Sequence, residues 1–215
     1  MATKNKSKQE ILHSIQLANA MAGQEILLED TVSATNTQTS ESEDEQIERF
    51  CQRLSDYGVI VHRCHADELT EKIRQSIEAK EFQQVVYPSG ITELMQSVGD
   101  KARCDENLPV DELDRADGVV TACALAIAET GTIALDGSSD QGRRAISLVP
   151  DWHLCLVRTE QIVASVEEGI KGLEHAAKKR APITLISGPS ATADIEFHRV
   201  QGVHGPRNLE VIIYS

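Results

Sequence analysis

The side chains able to act on a small anion fall at a few boundaries between apolar runs, all in the second half of the chain. The first is Glu129, set in Ala-Glu-Thr-Gly-Thr (128–132) between an Ala/Ile/Leu-rich run and a second apolar run. A carboxylate whose neighbours are buried needs partners. Gly131 permits backbone angles other residues avoid and lets a ligand approach the main chain. A lone acid beside Thr130, Thr132 and a glycine is thus a candidate site. A strand–turn–strand with its Glu in solvent is the other reading of the same residues.

Gly142-Arg143-Arg144 follows a loop and precedes an apolar run. The planar guanidinium fork suits a carboxylate or a phosphate, although arginines are also common on surfaces. His153, at the start of a strand, has the chemistry of a proton shuttle or ligand, and equally of a structural histidine. It alternates with Cys155, but zinc would require two further ligands, so no metal site is expected. The strand 183–186 runs into Ser187-Gly188-Pro189-Ser190-Ala191-Thr192-Ala193-Asp194. A glycine turn after a strand, with hydroxyls opening a helix, presents unpaired backbone N–H groups to an anion. That crevice belongs at the carboxyl ends of parallel strands. Ser190 or Thr192 could also serve only as a helix N-cap. The Gly-Pro bend at 205–206 presents His204 and Arg207 together. Neither a Walker lysine nor G-x-G-x-x-G occurs.

The elements that must position these groups follow from periodicity. Ile11, Leu12, Ile15 and Ala18 predict a short N-terminal helix ending near Gly23. Residues 29–45 are polar and acidic, too poor in apolar anchors to offset their ordering entropy, and predict an exposed connector. Domain limits of 1–44 and 45–215 follow. Ile47, Phe50, Cys51, Leu54 and Tyr57 predict the helix that opens the second domain, stopped by Gly58. Strands at 59–61 and 85–87 alternate with helices marked by Leu69, Ile73 and Ile77 and by Leu94, Met95 and Val98. The 118–136 stretch predicts a strand pair, 153–157 another strand, and 162–177 the clearest helical stripe. Strands at 183–186 and 211–214 complete an α/β layer fold with a mainly parallel sheet.

Composition excludes several function classes. The 215 residues carry a net charge of −13, and residues 25–48 contribute eight carboxylates with no Lys or Arg. Such a chain is a poor ligand for nucleic acid, which demands counterion-releasing cations. The five cysteines are scattered, with no C-x-x-C, against a disulfide framework, a zinc ribbon or an iron–sulfur motif. No apolar core follows the N-terminus as in a secretory signal, and no run approaches the ~20 apolar residues of a membrane span. A cytoplasmic location is expected.

Taken in order, Ala-Glu-Thr-Gly-Thr at 128–132, Gly-Arg-Arg at 142–144, Ser-Leu-Val-Pro-x-x-His at 147–153, Ile-Ser-Gly-Pro-Ser-x-Thr-Ala-Asp-Ile-Glu at 186–196 and Gly-Val-His-Gly-Pro at 202–206 form a recognisable series. The series resembles the lactate-utilization protein C family, whose module is called the LUD domain, over about residues 45–215. The resemblance implies a three-layer α/β/α sandwich with a mainly parallel sheet, similar to the fold shared by phosphosugar isomerases, coenzyme A transferases and 5-formyltetrahydrofolate cyclo-ligase. It implies a part in oxidising L-lactate to pyruvate beside two iron–sulfur partner proteins, with no cofactor in this chain. By motif it puts Glu129, His153 and His204 in catalytic roles. Thr130, Gly131, Thr132, Arg143, Arg144, Ser187, Gly188, Ser190, Thr192 and Asp194 would bind a small anionic ligand, a carboxylate or a phosphate. Cys123 departs from the pattern, which would carry Asp there. A coenzyme A transferase-like or cyclo-ligase-like enzyme, with Glu129 as an acyl acceptor, and a non-catalytic adaptor for the iron–sulfur partners are the alternatives. The mechanistic readings, though not the adaptor, require these turns to converge on one anion-receiving cleft.

Overall fold

The computed structural model describes residues 41–192, 200–201 and 205–215. The predicted N-terminal helix, Asp194 and His204 lie outside them. The compact unit begins at Glu41. The reason is local: Ser42 and Glu45 form a capping box, the Ser42 hydroxyl accepting the Glu45 amide while the Ser42 amide donates to the Glu45 carboxylate at 2.8 Å. Glu43, Asp44 and Glu45 therefore sit in the first turn of helix α1 (Glu43–Asp56), where the helix dipole favours negative charge. The end of the acidic run is a helix start.

The chain continues through β1 (Ile60–Cys64), α2 (Leu69–Glu78), β2 (Val85–Tyr87), α3 (Thr92–Met95), β3 (Ala102–Cys104), α4 (Val110–Asp114) and β4 (Gly118–Thr121). It then makes β5 (Leu125–Ile127), β6 (Thr132–Leu135), β7 (Trp152–Arg158), β8 (Ile162–Val163), α5 (Val166–Gly172) and α6 (Glu174–Lys178). The last strands are β9 (Thr184–Ile186), β10 (Ala191–Thr192), β11 (Val200–Gln201) and β12 (Asn208–Tyr214). Six of them form the main sheet in the order β1-β12-β7-β4-β2-β3, every neighbouring pair parallel.

This is an α/β fold around a parallel sheet, as the alternation of elements predicts. One face, with Leu154, Leu156 and Ile212, packs on Leu69, Ile73 and Ile77 of α2 and Met95 of α3. The other face, with Cys155, Val157, Val211 and Ile213, packs on Phe50 and Leu54 of α1 and on a second sheet. That sheet has the order β8-β5-β6-β9 and is mixed: β6 runs antiparallel to both β5 and β9. Its far side is covered by α5 and α6 through Leu173 against Leu125 and Ile127.

The second sheet accounts for the departures from the sequence-based expectations. The stretch 118–136 holds three strands, because the chain leaves the main sheet after Thr121 and enters the small one at Leu125. Ile162 and Val163 are a strand beside β5, and the helix begins only after Ser165, whose side chain accepts the Glu168 amide. Ala191 and Thr192, expected to open a helix, instead pair antiparallel with Gln201 and Val200 as β10 and β11, and residues 193–199 lie outside the described residues. Among the described residues, no helix is long and apolar enough to cross a membrane.

Candidate functional site

A cleft of about 430 Å3 opens where the amino ends of β7 and β12 meet the carboxyl end of β9. His153, Arg144, Ser187, Gly188 and Ser190 line it, with the Gly205–Pro206 bend opposite. Five of the residues singled out in the sequence therefore come together, from three separate motifs. The cleft lies at the amino end of the parallel sheet. The expectation of a carboxyl-end crevice is met only by β9, which belongs to the small sheet.

The adjacent arginines divide their tasks. Arg143 Nε and Nη2 donate to the two Asp105 oxygens at 2.7 and 2.9 Å, and Nη2 also donates to the Leu108 carbonyl at 2.5 Å. Burial pushes the Asp105 carboxyl up, but the Arg143 hydrogen bonds and the Leu108 amide outweigh it and hold the carboxyl below its usual value. Arg143 is thus spent on fastening its loop to the end of β3. Arg144 is exposed and enters no ion pair among the described residues, so its guanidinium is available at the cleft.

His153 is 1% exposed, and its Nε2 lies 2.8 Å from Thr121 Oγ1 on the neighbouring strand. Burial pushes its pKa down to about 4. At neutral pH the imidazole is uncharged, which suits it to hydrogen bonding and leaves no positive charge to donate. Thr121 was not singled out in the sequence, although a hydroxyl ending the run Gly-Val-Val-Thr is a legible signal. A second polar chain runs from the β5–β6 turn into the cleft: Thr130 Oγ1 is 2.6 Å from Thr132 Oγ1, which is 2.7 Å from Ser187 Oγ.

Glu129 stands apart. It is exposed, its Oε2 accepts the amide of Val166 at the start of α5 at 3.0 Å, and its carbonyl accepts Arg53 Nε at 3.2 Å. It does not line the cleft. Gly131, at φ 64, brings the turn so close to α1 that a Cβ there would lie 2.6 Å from Arg53 Cβ. The Ser190 amide donates to the Pro206 carbonyl at 2.8 Å, and Thr192 lies in β10.

The carboxyl ends of β2 and β4, where the connections turn in opposite directions along the sheet, carry a shallower cavity of about 550 Å3. Asp136 and Asp140 line it together with Gln161 and His175. Its carboxylates repel an anion, whereas the cleft presents Arg144. Among the described residues, no group of three or more His, Cys, Asp or Glu could hold a metal ion.

The LUD domain matches residues 47–214. The chain is 46% identical to a Deinococcus radiodurans protein named Lactate utilization protein C, over 79% of each chain. It is 28% identical to an Oceanobacillus iheyensis protein of that name, over 70% of this chain and 72% of the relative. The crystal structure of a DUF162 family protein from Deinococcus radiodurans matches with a TM-score of 0.71 at 40% identity, covering 81% of this chain and 99% of that one.

Proposed function

We propose, because the chain belongs to the LUD domain family and to its lactate utilization protein C relatives, that it serves a cytoplasmic system oxidising L-lactate to pyruvate. The oxidation removes two electrons and two protons from the hydroxyl-bearing carbon and its oxygen. In this reading iron–sulfur partner proteins take the electrons, and this chain is a subunit or accessory factor that holds a small anionic ligand. The observation that carries the reading is the 46% identity to the Deinococcus protein over 79% of both chains. The cleft supports it chemically. Arg144 offers a fork for a carboxylate or phosphate, and the uncharged His153 and the Ser187 hydroxyl offer hydrogen bonds beside it. An acyl transfer centred on Glu129 lacks such support, since its carboxylate is engaged by α5 and does not line the cleft.

Growth on L-lactate of a bacterial strain lacking its own relative tests the proposal. The wild-type gene restores growth, and Arg144→Gln, made at normal abundance, does not. Failure of the wild type removes the pathway reading. Full rescue by Arg144→Gln removes the cleft from the mechanism and leaves the adaptor reading.

A further inference from the structure

We infer that the cleft continues outward into a lobe for a nucleoside, so that the anionic ligand of the proposed site is, or carries, a phosphorylated nucleoside. The inference rests on the cleft reading above and deepens it. A second cavity, about 940 Å3, opens beside the cleft. Arg144, Leu148 and Gly205 line both, so the two spaces meet at the exposed guanidinium of Arg144. Together the two spaces, about 430 and 940 Å3, offer more room than a three-carbon acid fills and are in the range of sites for larger ligands.

The outer lobe carries what a nucleotide requires. Phe82 presents a ring held in place by its edge contact with Trp152, the centroids 5.1 Å apart at 63°. Three carboxylates line the lobe, and two are committed. Asp117 accepts the Gln83 and Gln84 amides at 2.7 and 2.9 Å, and Asp151 faces Arg207 at 3.3 Å. Asp114, exposed at the end of α4, has neither a hydrogen bond nor an ion pair to another side chain among the described residues. An arginine at the neck and a carboxylate beyond it, neither in an ion pair among the described residues, and an aromatic ring complement a phosphate, ribose hydroxyls and a base in turn. Inorganic phosphate would leave both Phe82 and Asp114 unused.

Calorimetric titration of the full chain with ADP, inorganic pyrophosphate and adenosine tests this. ADP binds roughly tenfold tighter than pyrophosphate, and adenosine binds weakly. Asp114→Ala and Phe82→Leu each weaken ADP several-fold while leaving pyrophosphate unchanged, and Arg144→Gln weakens both anions. Equal affinities for ADP and pyrophosphate, an ADP affinity indifferent to Asp114→Ala, or no ADP binding overturns the inference. Lactate enters none of these titrations. A failed growth rescue with intact ADP binding therefore strikes the lactate pathway alone, and the converse strikes the nucleoside lobe alone.

Discussion

Arg143 clasps Asp105 through two hydrogen bonds across 38 residues of sequence, with the carboxylate side chain only 4% exposed. Its chain neighbour Arg144 is left outside that clasp. One guanidinium thus anchors its loop while the other is exposed at the cleft, and substitution should separate them too. Arg143→Ala strands a buried carboxylate and costs about 3 kcal/mol, the low end for a pair whose guanidinium is partly exposed. Arg144→Ala stays within about 0.5 kcal/mol of wild type. Urea denaturation measures both. The sign with pH follows from the depressed Asp105 carboxyl: the clasp stabilises above the ordinary carboxylate pKa and is lost as pH falls through the folded-state value. Equal losses from the two substitutions would contradict the division.

His153 makes stability fall on mild acidification. Its pKa lies at about 4 in the folded chain, against 6.5 for an unperturbed histidine. Between those values the unfolded chain takes up a proton that the folded chain refuses. The stability it supports is present above about pH 6.5 and lost on the way down to about pH 4, on the order of 3 kcal/mol in all. His153→Asn cannot titrate and should flatten that part of the curve. Unfolding free energies across the window decide it, and a wild-type profile flat there would show the imidazole to be solvated.

Glu129 should matter to α5 more than to chemistry. Glu129→Ala removes the acceptor for the Val166 amide and a negative charge at a helix start, a loss of about 1 kcal/mol. Glu129→Gln keeps an acceptor oxygen and loses less. Both variants should support growth on L-lactate in proportion to their abundance. A folded, abundant Glu129→Gln protein that fails in growth would return this carboxylate to the mechanism.

The parallel sheet was legible because its strands are short apolar runs between well-marked helices: Val85–Tyr87 and the α2 stripe need no tertiary information. The small sheet was legible only in part: the strand at 183–186 and a strand pair across 118–136 stood out, but not the break between 121 and 125, nor the strand at 162–163, because Ile162 and Val163 continue the helical spacing of Val166 and Ile170. In the cleft, residue types were readable and partners were not. Nothing in Gly-Arg-Arg says which arginine meets Asp105, since that depends on where β3 ends. Glu129 looked central because its turn is rich in hydroxyls, yet those hydroxyls lead to Ser187 while the carboxylate turns toward α5.

The two sheets share one apolar interface, filled by Phe50, Leu54, Ala126, Ile133, Val157 and Val211. The walls of the cleft are cut from the same two sheets, so hinging them apart would flood that seam with water. On the proposed reading such a cleft is preformed: a ligand enters past Arg144, and among the described residues the loops bearing Arg144, Ser187 and Gly205 are placed to adjust around it.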